Sequence, residues 1–341
     1  MTRRKSVRRT TIDDVAKLAG VSISTVSRVV SGNAPVNEDT ATRVQRAIEE
    51  LNYKPSTAAR ALSDRRTNAF GLLVSEIAAP YYLYLLRGIE MAVREAGLGL
   101  LINSVGMSEN QQEKTRPFLG EHNTDGIIVS SGSLPDEELQ RLHELGLPLV
   151  LLHRTSPNGL SIPSLNVDNQ AGIKAIIDHL VTVHGHQRIA FLRGPESEED
   201  SYWRELGYRE ALQAHGLPID PSLIGYGGFD EHISYTMVSE WLESGMSFDA
   251  IFTGNDEAAP GVLNALYEHG LRVPEDVAVV GFDDDHLASR LTPKLTTVRS
   301  PIEQLGKEAV AQLLSLMEGK PTPSKILPIE FIVRQSCGCS G

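Results

Sequence analysis

From residue 68 onward the chain alternates short, β-rich apolar runs with amphipathic stretches, and this alternation restricts the fold more than any other feature. Phe70–Val74, Leu98–Ile102, Gly126–Val129, Leu149–Leu152, Ile189–Leu192, Ala250–Phe252 and Val277–Val280 have the composition and length of buried strands. Leu83–Glu95, Glu137–Leu145, Asn169–Val183, Glu205–Ala214, Ser234–Glu243 and Glu257–Glu268 place apolar residues at helical spacing. Strand and helix in alternation predict a parallel sheet with helices on both faces. The stretch is long enough for two such doubly wound lobes with a ligand cleft between them. It contains neither an internal repeat nor a low-complexity tract.

Residues 11–53 follow a different pattern and read as all helix. Thr11 offers a capping hydroxyl, and Asp13 and Asp14 sit where the dipole of a first helix favours carboxylates. Val15, Leu18 and Ala19 fall on one face. Gly20 stops that helix, Ser22 caps a second with Val26, Val29 and Val30 as its apolar stripe, and Asn37-Glu38-Asp39 opens a third carrying Val44, Ile48 and Leu51. Two short helices joined by a tight glycine turn form a helix-turn-helix, whose second helix enters the major groove of DNA. The outward positions of that helix are Ile23, Ser24, Thr25, Ser27 and Arg28. Hydroxyls at a helix start suit phosphates, and arginine suits a guanine edge.

Charge supports a nucleic-acid partner at this end only. The formal net charge is −12, yet residues 1–66 hold 13 basic and 7 acidic side chains, against 19 basic and 37 acidic in the rest. A basic head on an acidic body points to a polyanion bound by the head.

Other function classes find little support. Cys337 and Cys339 are the two cysteines in the chain, so no disulfide framework is possible and a reducing compartment is expected. A C-x-C pair alone is a poor metal signal, because zinc sites take four ligands at characteristic spacings. The run Asp283-Asp284-Asp285-His286 resembles a metal cluster, but consecutive residues leaving a strand point in different directions. No metal and no cofactor are expected. The basic N-terminus is not followed by an apolar segment, and no run approaches the ~18 apolar residues of a membrane helix; a cytoplasmic protein is expected. No G-x-S-x-G elbow, phosphate loop or G-x-G-x-x-G after a strand is present, so the chain does not read as an enzyme.

The run Thr11-Ile12-Asp13-Asp14-Val15-Ala16 through Val21-Ser22, Thr25-Val26-Ser27-Arg28-Val29, followed by Leu51-Asn52-Tyr53, Pro55 and Ala59-Arg60-Ala61-Leu62, resembles the lactose-repressor (LacI/GalR) family. Later pieces keep the family's order: Gly185-His186, Ile189-Ala190, Arg204, Gly207-Tyr208, Asn255-Asp256, Val273-Pro274-Glu275-Asp276-Val277, Gly281-Phe282-Asp283-Asp284 and Leu295-Thr296-Thr297-Val298. The resemblance implies a homodimeric repressor of palindromic operator DNA, with a helix-turn-helix domain at 1–54, a hinge helix at 55–66 and a core at 67–341. That core would resemble a type I periplasmic binding protein, one lobe spanning about 67–166 plus 298–330, the other about 167–297 plus the tail. By position, Ile23, Ser24 and Arg28 would read bases, Thr11, Ser22, Thr25 and Ser27 would touch phosphates, and Ala59 and Leu62 would meet the minor groove, Leu62 as a wedge between base steps.

For the core, the resemblance implies effector contacts at Tyr82, His153, Arg204, Phe229, Asn255 and Asp283. A guanidinium, an amide and a carboxylate can each bridge neighbouring hydroxyls, and Phe229 can stack on a sugar ring. The expected effector is a sugar; a purine or nucleoside, or a phosphosugar, are the alternatives. A sugar-processing enzyme or a transport receptor would be the competing classes. Asp256 reads instead as the cap of the following helix, and Pro260 in that helix's first turn reads as a source of local loosening. The tail lacks the leucine heptads that tetramerise some relatives, which favours a dimer.

Overall fold

The computed structural model describes residues 10–31, 34–53, 66–78, 80–105 and 119–340. The chain divides into two units, one running to Ala69 and including Glu121–Asp125, the other comprising the remainder.

Among the described residues of the first unit, three helices form around a small core: α1 (Ile12–Ala19), α2 (Ile23–Ser31) and α3 (Glu38–Glu50). The start of α1 is fixed by a capping box, with the Thr11 backbone N–H and hydroxyl both donating to Asp14 Oδ2 at 2.9 and 2.8 Å. Gly20 ends α1 in the left-handed conformation at φ 66°. Asn37 caps α3 by accepting from the Asp39 N–H at 2.9 Å. Val15, Ala16, Ala19, Val26, Val44, Ala47 and Tyr53 are buried together. Of residues 55–66, the expected hinge, only Arg66 is described; Ala59 and Leu62 lie outside the described residues.

Among the described residues, the second unit is built on two parallel sheets. The first contains β1 (Ala69–Val74), β2 (Gly99–Ser104), β3 (Gly126–Ser130), β4 (Leu149–Leu152), β5 (Ser164–Val167) and β11 (Lys325–Leu327), in the order β11-β5-β4-β3-β1-β2. The second contains β6 (Ile189–Arg193), β7 (Ile224–Tyr226), β8 (Ala250–Phe252) and β9 (Ala278–Val280), in the order β7-β6-β8-β9. Each is covered on both faces. Along β1, Phe70, Leu72 and Val74 enter one core with α4 (Pro80–Glu95) and α10 (Ile302–Met317), while Leu73 faces the opposite core with Leu139 and Leu142 of α5 (Asp136–Glu144). Along β6, Ile189 and Phe191 pack with α6 (Asn169–His184) and α7 (Glu199–Ala214), and Ala190 and Leu192 with α8 (Glu231–Glu243) and α9 (Ala259–Glu268). That alternation is the period of two of a strand buried on both sides.

The chain crosses between the lobes at Val167–Asp168, where Asp168 accepts from the Ala171 N–H at 3.0 Å and starts α6. It crosses again after β10 (Thr297–Arg299), and a third time between β11 and β12 (Glu330–Ile332), which pairs antiparallel with β10. Pro260 causes no loosening: it occupies the first turn of α9, where its missing N–H has no partner within the helix to lose. Among the described residues, no helix is long and apolar enough to cross a membrane.

Candidate functional site

Both lobes contribute to one cavity of about 950 Å³. One wall comes from the β1–α4 connection and the ends of β3 and β4, with Ser75, Tyr81, Tyr82, Ser130 and His153. The other comes from the loops and helix starts after β6, β7, β8 and β9, with Arg193, Glu198, Asp200, Arg204, Phe229, Asn255, Glu257 and Asp283. Ligands collect outside the carboxyl ends of strands in open parallel sheets because successive loops diverge there. Tyr82, His153, Arg204, Phe229, Asn255 and Asp283 all line this cavity.

Arg204 is the centre of the polar network. It is 3% exposed. Its Nε donates to Asn169 Oδ1 at 2.9 Å, and its two terminal nitrogens donate to the Gly254 carbonyl at 2.7 Å and to Asp283 Oδ1 at 3.2 Å. Asp200 lies 3.8 Å away, and the guanidinium rests on the Phe282 ring at 3.9 Å from its centroid, with Phe229 at 5.2 Å on the cavity side. Asp283 adopts φ 103° and also accepts from the Ser300 hydroxyl at 3.1 Å, so a residue of one crossing strand holds the carboxylate in place.

His153, at φ 53°, bridges the lobes. Its Nδ1 lies 2.8 Å from Asp200 Oδ2, and its Nε2 meets the Tyr81 hydroxyl. Burial alone would lower the His153 pKa, but the Asp200 carboxylate raises it on balance. Burial would likewise raise Asp200, yet His153 and then Arg204 hold it at about 2. Both shifts favour an ion pair across the cleft. Two more links join the lobes: the Thr155 N–H and hydroxyl donate to Glu199 Oε2 at 2.8 and 2.9 Å, and the Tyr81 N–H to Glu257 Oε1 at 3.4 Å.

Asn255 lines the cavity as expected, but Asp256 does not cap the helix that follows. Asn255 Oδ1 accepts from the Ala258 N–H at 3.1 Å, in the turn that leads into α9. Asp256 turns inward, accepting from the Thr297 hydroxyl at 2.6 Å and the Asp285 N–H at 2.9 Å, and its burial raises its pKa well above the usual range. It is a buried tie between β8 and the crossing strand. Tyr82 is 8% exposed, and its hydroxyl sits 3.1 Å from Ser75 Oγ and 3.4 Å from Ser130 Oγ. Phe229 is half-buried in the left-handed region at φ 58°.

Tyr81, Asn169, Glu198, Asp200 and Glu257 are the site residues that sequence reasoning missed. The Glu198 carboxyl is raised to about 7 by burial and then by Asp200, and that of Glu257 to about 7 chiefly by burial. The signal for Asp200 was its spacing: it stands four residues before Arg204, one turn away on α7. The Asp283–His286 run diverges as its spacing implies, with Asp283 on Arg204, Asp284 on Arg299 and Arg334 at 2.8 and 2.6 Å, and Asp285 on the Leu287 N–H at 2.6 Å.

In the first unit, the start of α2 exposes a cluster of hydroxyls. Ser22 Oγ accepts from the Thr25 N–H at 3.2 Å and lies 2.8 Å from both Ser24 Oγ and Thr25 Oγ1. Ile23 is 47% exposed, Ser24 and Arg28 are exposed, and Thr25 and Ser27 are half-buried. A bulky apolar side chain outside the core thus stands on the surface beside hydroxyls and an arginine.

A helix-turn-helix and a two-lobed α/β unit with a polar cleft, carried on one chain, define the class of ligand-responsive DNA-binding regulators. Residues 11–56 match the model of bacterial regulatory proteins of the lacI family, and residues 177–337 a periplasmic binding protein-like domain. The chain is 35% identical over 333 residues to the HTH-type transcriptional regulator RegA of Clostridium saccharobutylicum, covering 96% of this chain and 99% of that one. A transcriptional regulator CelR–cellobiose complex is similar in structure, with 34% identity, a TM-score of 0.72, and coverage of 96% of this chain and 100% of that one. The lac repressor dimer bound to operator and the anti-inducer ONPF gives 27% identity, a TM-score of 0.79, and coverage of 97% and 99%. The chain belongs to the LacI family of DNA-binding transcriptional regulators.

Proposed function

We propose that this regulator is a cytoplasmic repressor whose operator affinity is set by a neutral saccharide bound between the core lobes. The observation that carries this reading is the balance of groups lining the cavity. Glu76, Glu196, Glu198, Asp200, Asp230, Glu257 and Asp283 stand against Arg193, Arg204 and His153, with Tyr81, Tyr82, Tyr226 and Phe229 supplying aromatic faces. An acidic lining disfavours a phosphosugar, while carboxylates, an amide and a clamped guanidinium suit an uncharged polyol. The volume lies near the upper end of the range for small-molecule sites, which suits a di- or oligosaccharide. The cellobiose held by the related regulator supports the same class. Tyr82, His153, Arg204, Phe229, Asn255 and Asp283 are the effector contacts in this reading, with Asp200, Glu198 and Glu257 added.

The DNA end follows the same logic. Ile23, Ser24 and Arg28 read bases, Thr11, Ser22, Thr25 and Ser27 contact phosphates, and residues 55–66 supply a hinge through which Ala59 and Leu62 reach the minor groove. The domains are then 1–54, 55–66 and 67–341. One short helix reads few base pairs, so a homodimer on a two-fold symmetric operator supplies the remaining specificity.

Calorimetry of the full-length protein against cellobiose, other neutral saccharides, nucleosides and phosphosugars tests the effector class. Binding by a neutral saccharide and not by the others is the expected result. Tight nucleoside binding without any saccharide response would overturn it.

A further inference from the structure

The C-terminal C-x-C pair does not stand alone in the fold. His179 and His184 near the C-terminal end of α6 meet Cys337 and Cys339, and one ligand atom from each lies within 4.8 Å of all the others. His179 Nε2 and His184 Nε2 are 3.2 Å apart, and Cys339 Sγ is 3.6 Å from the first and 3.4 Å from the second. Around a tetrahedral zinc with Zn–N of about 2.0 Å and Zn–S of about 2.3 Å, two nitrogens stand about 3.3 Å apart, and a nitrogen and a sulfur about 3.5 Å. The observed triangle therefore has the dimensions of three ligands around one zinc. Hydrogen bonding explains it poorly: an imidazole nitrogen offers one in-plane lone pair or one N–H, and cannot serve the other ring and the sulfur together.

We propose that His179, His184, Cys337 and Cys339 form a structural zinc site in the C-terminal lobe, fastening the tail to the end of α6. The donor set of two imidazoles and two thiolates selects zinc over the hard cations. Cys337 is 1% exposed, and its sulfur accepts from the Thr296 hydroxyl at 3.1 Å, a bond that steadies a thiolate. Gly338 between the cysteines has φ 103°, the conformation that favours glycine, and a Cβ there would lie 3.2 Å from His184 Cε1. The turn thus has the shape that brings both sulfurs toward the histidines. Sequence spacing hid the site because His184 precedes Cys339 by 155 residues.

The test uses the full-length protein without a histidine tag, stripped with a chelator under reducing conditions and titrated with Co2+. One equivalent of cobalt should saturate an intense visible spectrum of tetrahedral thiolate ligation, zinc should displace it, and zinc should raise the melting temperature by about 5 °C. Cys339→Ser and His184→Gln should each abolish the spectrum, and neither replaces a buried side chain. No cobalt spectrum in the wild-type protein, or an unchanged spectrum in both variants, would overturn the proposal. So would a Cys337–Cys339 disulfide found in protein handled under reducing conditions.

Discussion

Arg204 links the chemistry of the cleft to its stability, so its substitution has two consequences. Removing the guanidinium leaves Asp283 without its cationic partner and Asp200 with His153 alone, and Arg204→Ala should cost about 3 kcal/mol in denaturant unfolding as well as abolishing saccharide binding. Phe229→Ala separates the two, because the ring faces the cavity and carries no hydrogen bond: saccharide affinity should fall about tenfold by calorimetry, with operator affinity in the absence of saccharide unchanged. A second residue-scale effect is pH-dependent. Glu198 and Glu257 titrate at about 7 when folded, above the ordinary 4.5, so the folded chain holds protons that the unfolded chain has released. Their contribution is fully present below about pH 4.5 and is lost as pH rises through about 7. The melting temperature of the wild-type protein should therefore rise between about pH 8 and about pH 6, and the paired Glu198→Gln, Glu257→Gln variant should show a flatter profile. A slope unchanged in the variant would assign the effect to other groups. The sequence led to six cavity-lining residues through motif positions, but not to Asp200, Glu198 or Tyr81. Those acquire their roles from a cleft that closes across the lobes. The inward turn of Asp256 was illegible for the same reason, since two adjacent polar residues at a strand end can face opposite ways and only tertiary partners say which.

At the scale of the elements, packing is set by close approach. Gly88 on α4 lies where a Cβ would be driven into the Glu303 carbonyl oxygen of α10, and backbone cannot retreat as a side-chain tip can. Gly88→Ala should destabilise the core by about 3 kcal/mol in denaturant unfolding, and a change below about 0.5 kcal/mol would contradict this packing. Thr11→Ala removes the hydroxyl half of the capping box of α1 and should cost about 1 kcal/mol in the stability of the helical unit. The elements the sequence revealed were those with strong periodicity or unbroken apolar runs, such as β1, β3, β4, β6 and α6. It did not reveal β7, a three-residue strand with glycine at its centre, or β11 and β12, three residues each, whose pairings span the chain from Leu165 to Ile332. Short strands carry too few alternations to register, and partners distant in sequence define them. The helix α10 also went unread, although Leu305, Ala309, Val310 and Leu313 form its buried stripe.

For the whole molecule, effector binding and DNA binding are linked. Lobes joined by three crossings, and bridged by His153–Asp200 and Thr155–Glu199, can hold a saccharide more tightly in one arrangement than in another. Only that difference in affinity can be transmitted to DNA binding, and the transmission is reciprocal. The excess of basic residues in the first 66 also implies that operator affinity falls steeply as salt rises. The most direct test selects an operator from random duplexes with the full-length protein, then measures its affinity by fluorescence anisotropy with and without a saccharide that binds in calorimetry. The expected result is a two-fold symmetric operator, an affinity changed at least about tenfold by the saccharide, and a saccharide affinity changed by the same factor when the operator is bound. An operator affinity identical with and without a saturating saccharide would contradict it.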